Sequence, residues 1–298
     1  MPNQPSYSST KIRIIQHNCN RSSLVINTLL DFAVGTADLL LLQEPGFNPD
    51  NTFITTHPGF ELLIPPKNLR KHNRTIAYVA KNNPYIKCSP RTDISQDPDI
   101  QVLEISTPSI SPITVFNIYN EHEGSSNLYT IPRSFTNIPL PERCIIAGDM
   151  NAHHTWWNSQ IKTPKRADEI VQIMETNHFS LLNEPDTPTY YYRTGKGTSI
   201  IDLAFTSQAI HDSVINWAVD DNASTGSDHA TIRFDIVAES ELVTTDSNMI
   251  RYNWNKTDWD IFSKLSIHFP MPHEWSGNTY TNSRLNQTLT NLPNYYET

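Results

Sequence analysis

Short apolar segments with β-strand composition recur along this chain from residue 11 to about residue 238, and this recurrence constrains the fold more than any other feature. The predicted strands are Ile12–Gln16, Leu39–Leu42, Thr75–Ala80, Gln101–Ile105, Ile113–Tyr119, Cys144–Ala147, Ile200–Phe205, Val214–Val219 and Ala230–Ile236. Helical patterns lie between some of them, at Ser22–Phe32 and Asp168–Asn177, with Ser22 and Asp168 as the predicted N-caps. This many strands excludes an all-α fold and predicts an α/β protein with layered sheets.

The composition changes after residue 238, and this change predicts the domain organisation. Residues 11–238 are predicted to form one domain, preceded by a disordered polar arm at residues 1–10. The segment that follows is polar, with a short helix pattern at Asp258–Leu265 and an Asn/Thr-rich stretch after Gly277. We therefore predict that residues 239–298 are a linker and a truncated tail.

Charge and cysteine content exclude several classes of protein. The formal net charge of −9 argues against attraction of the whole chain to nucleic acid, although a local basic face or a bound cation would reverse the field where it matters. Cys19, Cys88 and Cys144 show no paired spacing, so neither a disulfide framework nor a zinc knuckle is predicted. The densest apolar run, Leu39–Leu42, is too short for a membrane span, and no signal peptide or membrane partner is predicted.

Polar residues stand at the ends of several predicted strands. Each one alone is ordinary, because polar residues after strands usually serve the turn. Functional sites of layered sheets gather where strand ends and their loops converge, so the joint occurrence predicts a single cleft. The residues concerned are Asn18, Glu44, Tyr119, Asp149 and His229.

The sequence Gly148-Asp149-Met150-Asn151 is a candidate catalytic turn. On an extended chain, Asp149 and Asn151 would project to the same side. A carboxylate beside an amide holds a water molecule and donates a hydrogen bond to a neighbouring oxyanion. The alternative is an Asx turn that ends the strand.

Asp202 places a carboxylate inside the apolar strand SIIDLAF, where an unpaired charge would cost several kcal/mol. His229 is the predicted partner, because an aspartate that accepts from one ring nitrogen fixes the tautomer and stabilises the imidazolium. The alternative is that Asp202 faces solvent and His229 lies on a surface loop. Glu44, held before Pro45, suits magnesium or manganese as a fixed oxygen ligand, unless it is simply a surface glutamate.

Taken in order, these motifs resemble the endonuclease/exonuclease/phosphatase superfamily, which includes abasic-site endonucleases and deoxyribonuclease I. The resemblance covers about residues 11 to 238 through HNCN, LLLLQEP, FNIYN, IIAGDMNAHH, SIIDLAF and GSDHA. Within the superfamily, AGDMNAHHTWWNS, TSIIDLAF and TGSDHATIRF most resemble the endonuclease domain of non-LTR (LINE-type) retrotransposon polyproteins. The segment RYNWNKTDWDIF resembles the stretch that leads from endonuclease to reverse transcriptase in those polyproteins.

The resemblance implies a four-layered α/β sandwich, with two mixed β-sheets face to face and helices outside, as in deoxyribonuclease I. It implies a divalent-metal-dependent phosphodiester hydrolase that nicks DNA, with magnesium as the cofactor and manganese as a substitute. It also implies a nuclear site of action, DNA as the partner, and a reverse transcriptase domain in the full-length element. Such a chain would be an excised domain or a gene truncated after its endonuclease.

The resemblance implies metal ligands at matching positions. Glu44 would hold the metal, with Asn18 and Asp228 in its outer coordination. The charge pattern adds candidate DNA contacts on the densest basic stretch of the chain, for which a solvated loop is the alternative. Its members are Lys67, Arg70, Lys71 and Arg74.

The catalytic roles follow from the same resemblance. Asp149 would orient or deprotonate the attacking water, and Asn151 would steady the phosphoryl oxygens. His229, aligned by Asp202, and Tyr119 would neutralise the developing charge. Whether Asp149 or His229 is the general base stays open at this stage.

Two alternative functions also stay open. One is a phosphatase or phosphodiesterase of the same superfamily that acts on RNA ends or on lipid phosphates such as phosphoinositides. The other is an inactive retroelement remnant that serves as a binding module.

Overall fold

The structure is a computed structural model, and it describes residues 10–46, 55–65, 73–121, 130–135, 138–162, 166–195 and 197–238. The strands in these ranges are β1 (Lys11–Asn18), β2 (Leu39–Gln43), β3 (Phe60–Leu63), β4 (Thr75–Ala80), β5 (Lys87–Pro90), β6 (Ile100–Thr107), β7 (Ile110–Tyr119), β8 (Cys144–Asp149), β9 (Phe179–Leu181), β10 (Tyr190–Tyr191), β11 (Thr198–Ser199), β12 (Asp202–Ser207), β13 (Val214–Val219) and β14 (Ile232–Val237). The helices are α1 (Ser23–Ala33), α2 (Thr130–Phe135), α3 (Asp168–Thr176) and a 3-10 helix at Gln208–Ser213.

Twelve of the strands build two six-stranded mixed sheets. The first sheet has the order β13-β14-β1-β2-β4-β3 and the second has the order β5-β6-β7-β8-β12-β9. Each sheet has one parallel pair near its middle, β1 with β2 and β7 with β8, and its other pairs are antiparallel. The remaining strands, β10 and β11, form a two-stranded ribbon.

The apolar run of β2 shows how the layers stack. Leu39 and Leu41 lie in the hydrophobic core that also contains second-sheet residues such as Val115, so this core lies between the sheets. Leu40 and Leu42 point to the other face, into the core formed with α1. A third core packs α2 and α3 on the outer face of the second sheet. Helix, sheet, sheet and helix therefore form the predicted four-layered α/β sandwich.

All nine predicted strands overlap observed ones, although β12 begins two residues later than predicted. The predicted N-cap Ser22 is confirmed, since its side chain accepts a hydrogen bond from the Val25 N–H at 3.3 Å. The predicted N-cap Asp168 is wrong: Ala167 is the cap, and Asp168 is the first helical residue, where its charge favours the helix dipole. Within the described ranges, no helix combines the length and apolarity needed to span a membrane.

Some predictions fall outside the described residues. These are residues 1–9 of the arm predicted at residues 1–10, the helix at Asp258–Leu265 and the tail at residues 239–298.

The topology brings many strand ends to one edge of the sandwich. The parallel pairs run to Asn18 and Gln43 in the first sheet and to Tyr119 and Asp149 in the second. Strand β12 runs antiparallel to β8, and its first residue, Asp202, lies opposite Asp149. Strand β14 likewise begins beside the end of β1.

Polar side chains join the two sheets just below this edge. The Gln43 side chain donates to Asn117 Oδ1 at 2.7 Å, and the Asn117 Nδ2 donates to the Ile76 carbonyl at 2.9 Å. Gln43 and Ile76 belong to the first sheet, whereas Asn117 belongs to β7 in the second. These buried bonds fix how the strand ends of one sheet face those of the other.

Candidate active site

Asp149 lies at the centre of the site and is positioned by the glycine before it. A Cβ at Gly148 would come within 1.9 Å of the Ile118 carbonyl oxygen, so only glycine allows β8 to run this close to β7. The Asp149 side chain is buried and accepts a hydrogen bond from Asn18 Nδ2 at 2.9 Å. This bond joins the first sheet to the second, so Asp149 and Asn18 meet although 131 residues separate them.

Asn151 lies in a turn and not on extended chain, so that part of the sequence prediction is wrong. Strand β8 ends at Asp149, and the φ of Asn151 is 46°, in the left-handed region. The Asn151 N–H donates to Asp149 Oδ1 at 3.1 Å, which is the Asx turn considered as the alternative. Its side chain donates to the Asn120 carbonyl at 2.9 Å, so the amide is still held beside Asp149.

Asp202 and His229 form a buried pair. His229 Nδ1 lies 2.9 Å from Asp202 Oδ2 and 3.1 Å from Oδ1. The exposed fractions of the side chains are 8% for His229 and 2% for Asp202, so the solvent-facing alternative is wrong. Burial alone would lower the pKa of His229, but the Asp202 carboxylate outweighs it and raises this pKa to about 9. The Tyr190 ring contacts His229 edge-on, with the ring centroids 4.8 Å apart.

Glu44 and Tyr119 lie at the same edge of the sandwich, Glu44 directly after β2 and Tyr119 at the end of β7. Glu44 has a left-handed φ of 44°, and Arg21 donates to its Oε1 at 2.8 Å. The Arg21 side chain is 71% exposed, whereas that of Glu44 is 11% exposed. Burial raises the pKa of the Tyr119 hydroxyl, and the nearby Glu44 and Asp149 carboxylates raise it further.

The site has the electrostatics and the ligand atoms of a divalent-cation site. Burial, together with the charges of Asp202 and Glu44, raises the pKa of Asp149 to about 7, although His229 and Asn18 oppose this. Ligand atoms of Asp149, Asp202 and His229 all lie within 4.8 Å of one another. Buried carboxylates that repel one another are stabilised by a cation, and their oxygen atoms suit a hard ion. The residues present therefore fit a divalent metal.

Asp228, a predicted outer metal ligand, connects loops around the site. Its carboxylate accepts from Asn20 Nδ2 at 2.7 Å, from Arg193 Nε at 3.1 Å and from the Tyr190 hydroxyl at 3.4 Å. It lies outside the group formed by Asp149, Asp202 and His229. A metal role for Asp228 stays a prediction.

The sequence context of Arg74 predicts a DNA contact on a basic loop. In the structure its side chain is bound to acidic residues of the protein instead. Its guanidinium forms ion pairs with Asp99 and Glu121 and lies 4.7 Å from the centroid of the Tyr119 ring. With its side chain 22% exposed, Arg74 supports Tyr119 from the protein side. The other three predicted DNA contacts, at positions 67, 70 and 71, lie outside the described residues.

Sequence reasoning missed three residues that organise the site. Asn20 binds Asp228 from the first strand loop, and its N–H donates to Asn18 Oδ1 at 2.8 Å. Asn120 donates from Nδ2 to the Met150 carbonyl at 2.8 Å and so holds the catalytic turn. The third, His17, precedes Asn18. The signal for two of them was the motif HNCN, in which only Asn18 was assigned a role.

Residues 113–233 match a family model described as "Endonuclease-reverse transcriptase". Among curated proteins, none matches the sequence significantly. Solved structures with the same fold include the endonuclease domain of TRAS1, a telomere-specific non-LTR retrotransposon, at 24% identity and a TM-score of 0.60; the match covers 76% of this chain and 99% of that one.

Two further structures share the fold at lower identity. The AP endonuclease LMAP from Leishmania major has 15% identity and a TM-score of 0.58, over 77% of this chain and 88% of that one. A 3'-5' exonuclease from Neisseria meningitidis has 13% identity and a TM-score of 0.52, over 76% of this chain and all of that one. The matched segment and the shared fold thus agree with the resemblance that the motifs predict: residues 113–233 are similar to the endonuclease-reverse transcriptase family, and the described chain has the fold of these nucleases.

Proposed function

We propose that this protein is a divalent-metal-dependent endonuclease that hydrolyses phosphodiester bonds in DNA, in the manner of a non-LTR retrotransposon endonuclease. The observation that carries this proposal is the convergence of Asp149 with the Asp202–His229 pair at the edge where β1, β2, β7 and β8 end. This arrangement places a candidate base and a candidate cationic hydrogen-bond donor within one small volume, and the charge of Glu44, the proposed metal ligand, acts on Asp149.

Magnesium is the proposed cofactor, with manganese as a substitute. Glu44 would hold it directly, with Asn18 and Asp228 in its outer coordination and the buried Asp149 beside it. When bound, the ion would offset the negative charge that collects on the phosphoryl and leaving oxygens.

The side chains of the protein would share the remaining work. Asp149 has a pKa of about 7, which is near the working pH and suits a group that orients and deprotonates water. Asn151, fixed by Asn120, would donate to a phosphoryl oxygen. Because Asp202 engages Nδ1 of His229, Nε2 is the ring nitrogen that remains for the substrate, where an imidazolium would neutralise developing charge.

A plasmid assay tests this function directly. We expect the purified protein to convert supercoiled plasmid into nicked circles when Mg²⁺ or Mn²⁺ is present, because the site is built around a cation. Excess EDTA should abolish the conversion, and a small phosphate ester or an RNA 3' phosphate should be hydrolysed far more slowly.

Each other outcome of that assay contradicts a part of the proposal. Faster hydrolysis of the small ester would favour the phosphatase alternative, and nicking that persists in EDTA would oppose a metal mechanism. A protein that is folded but inactive with every divalent ion would support the alternative of a binding module.

The ribbon β10–β11 supports DNA as the substrate. Tyr191 in β10 and Tyr192 directly after it are 44% and 45% exposed, and the side chain of the next residue, Arg193, is 69% exposed although it pairs with Asp228. The ribbon adjoins the catalytic pair, since Tyr190 forms a β-bridge with His229. Exposed aromatic rings and a cation next to the reactive centre suit contact with bases and phosphates.

We also expect the basic stretch to strengthen DNA binding. Replacing Lys67, Arg70 and Lys71 together with glutamine should weaken binding and reduce the slope of log K against log salt by about 0.9 for each phosphate that the protein no longer neutralises. Fluorescence anisotropy of labelled duplex across a salt series measures this slope. Arg74 is left unchanged, because its guanidinium is bound to Asp99 and Glu121.

The matched control neutralises Lys81 and Lys87, which are exposed and lie at the far ends of β4 and β5 from the site. This variant should keep the slope of the unmodified protein. An unaltered slope in the triple variant would show that the basic stretch faces solvent.

The wider setting is part of the proposal. We take residues 11–238 as the catalytic domain and infer that a full-length element would join it to a reverse transcriptase domain. The description of the matched family supports this pairing. Action on chromosomal DNA would require entry into the nucleus.

A further inference from the structure

His17 is a buried histidine that the proposed chemistry does not use. It lies in β1 directly before Asn18, and its side chain is 1% exposed. Nδ1 lies 3.3 Å from the Ala230 carbonyl oxygen and 3.2 Å from Thr231 Oγ1, and Nε2 lies 3.0 Å from Thr225 Oγ1. All three partners belong to residues 225–231, the segment that carries Asp228 and His229. Thr225 precedes this pair of residues in the sequence, and Ala230 and Thr231 follow it.

These contacts define the tautomer of His17. The Ala230 carbonyl oxygen only accepts hydrogen bonds, so the proton is on Nδ1, and Nε2 accepts from the Thr225 hydroxyl. Thr225 Oγ1 accepts in turn from the Ser227 N–H at 3.3 Å.

The same segment is also held from its other side. The Ala230 N–H donates to the Thr189 carbonyl at 2.7 Å, so both polar groups of Ala230 are bound. Thr189 Oγ1 accepts from the Asp202 N–H at 3.0 Å and thereby ties the segment to the start of β12. The Ser227 hydroxyl donates to the Asn18 carbonyl at 2.8 Å and lies 3.2 Å from the His229 N–H that donates to it.

We propose that His17 is a positioning residue, which holds the 225–231 segment so that His229 stays bound to Asp202 and close to Asp149. An apolar side chain of similar size would fill the space but would leave the Thr225 hydroxyl and the Ala230 carbonyl without this partner. Freed of the ring, the segment would let His229 move relative to Asp202. The effect on catalysis rests on the proposed function, whereas the effect on the His229 geometry does not.

Three variants test this role, namely His17→Leu, His17→Asn and His17→Gln. Leucine removes the contacts of both ring nitrogens, and we expect it to lower kcat for plasmid nicking by about 10- to 100-fold, as is typical when a supporting partner is removed, with little change in KM. The asparagine amide overlays Nδ1 and keeps a donor for Ala230, so it should restore more activity than glutamine, whose amide overlays Nε2.

An NMR measurement gives a readout that does not depend on activity. In the unmodified protein the His229 Nδ1 proton bonded to Asp202 should give a downfield signal that exchanges slowly with solvent. In His17→Leu this exchange should accelerate at least tenfold, as about 1.4 kcal/mol of lost protection requires. The matched control His211→Leu changes an exposed histidine on the 3-10 helix and should alter neither kcat nor the signal.

The outcomes separate the two proposals. If His17→Leu is folded by circular dichroism and keeps the His229 signal unchanged, positioning by His17 is wrong, whatever the activity. If His17→Leu does not fold, the comparison of His17→Asn with His17→Gln decides, and equal signals in the two would overturn the proposal. An inactive parent protein with the expected signal changes would refute the nuclease function alone.

Discussion

Replacing His229 with alanine should lower the rate of plasmid nicking by about 100- to 10,000-fold, the range that follows loss of an acid–base group. The reason is geometric: His229 is buried, its Nδ1 is bound to Asp202 at 2.9 Å, and it lies beside Asp149. Removing the ring removes the cation that would neutralise charge on the phosphate. Single-turnover nicking with saturating Mg²⁺ measures this loss without interference from product release.

The pH profile identifies which protonation state of His229 acts. Because Asp202 raises the pKa of His229 to about 9, an imidazolium role predicts that activity declines as the pH rises through that value. Asp202→Asn removes the carboxylate, so this decline should move to lower pH. A general-base role for His229 predicts the opposite, an activity that increases with pH in the same range.

A surface histidine provides the control for this experiment. His211→Ala alters an exposed side chain on the 3-10 helix, far from the site, and should leave the rate and the pH profile unchanged. Nicking by His229→Ala at the parental rate would remove His229 from the mechanism.

The second large effect is expected for Asp149→Asn, which keeps the size of the side chain and removes its charge. Nicking should fall by about 100- to 10,000-fold, because the candidate base is removed. The metal should also bind more weakly. At a concentration of Mg²⁺ about 100 times its dissociation constant, binding stabilises a protein by about 2.7 kcal/mol. For a domain of this size that corresponds to a rise in Tm of about 5 to 10 °C, and the variant should show much less of it.

Stability in EDTA gives an independent check on Asp149. Its pKa is raised from 3.8 in the unfolded chain to about 7, so the unfolded state loses its proton first and the free energy of unfolding decreases as the pH rises between these values. For His229 the pKa is raised from 6.5 to about 9, so its contribution is complete below pH 6.5 and is lost as the pH rises through 9.

Urea denaturation across pH separates the two contributions by difference from the unmodified protein. Asp149→Asn should abolish the first decrease and keep the second, whereas His229→Gln should do the reverse. If the free energy of unfolding depended on pH in the same way in Asp149→Asn and in the unmodified protein, burial would not raise the pKa of Asp149.

The fold can be predicted from the sequence because each strand carries its own pattern of apolar residues. Leu39 to Leu42 form a continuous apolar run because α1 covers one face of β2 and the second sheet covers the other. The site can be predicted for a related reason. Polar residues follow the apolar residues where the strands end, and the parallel pairs bring those strand ends to one edge. Asp202 stands out since a carboxylate in an apolar strand requires a partner.

The remaining features depend on contacts that no local pattern encodes. Asn151 adopts a left-handed conformation because the Asp149 carboxylate accepts its N–H. Arg74 reads as one of a basic cluster, yet Asp99 and Glu121 hold its guanidinium beneath Tyr119. His17 belongs to the motif HNCN, but its partners lie more than 200 residues away, so the motif does not indicate what the ring contacts.

The reactive groups are divided between the two sheets, and side-chain bonds such as Asn18 to Asp149 and Gln43 to Asn117 bridge the sheets at this edge. Neither sheet alone contains a complete set of groups. A small sliding of one sheet over the other would therefore disperse the catalytic groups while every strand kept its own pairing. We therefore expect activity to depend on how the two sheets are positioned relative to each other. Substitutions deep in the core between the sheets would lower it even though they lie far from the phosphate.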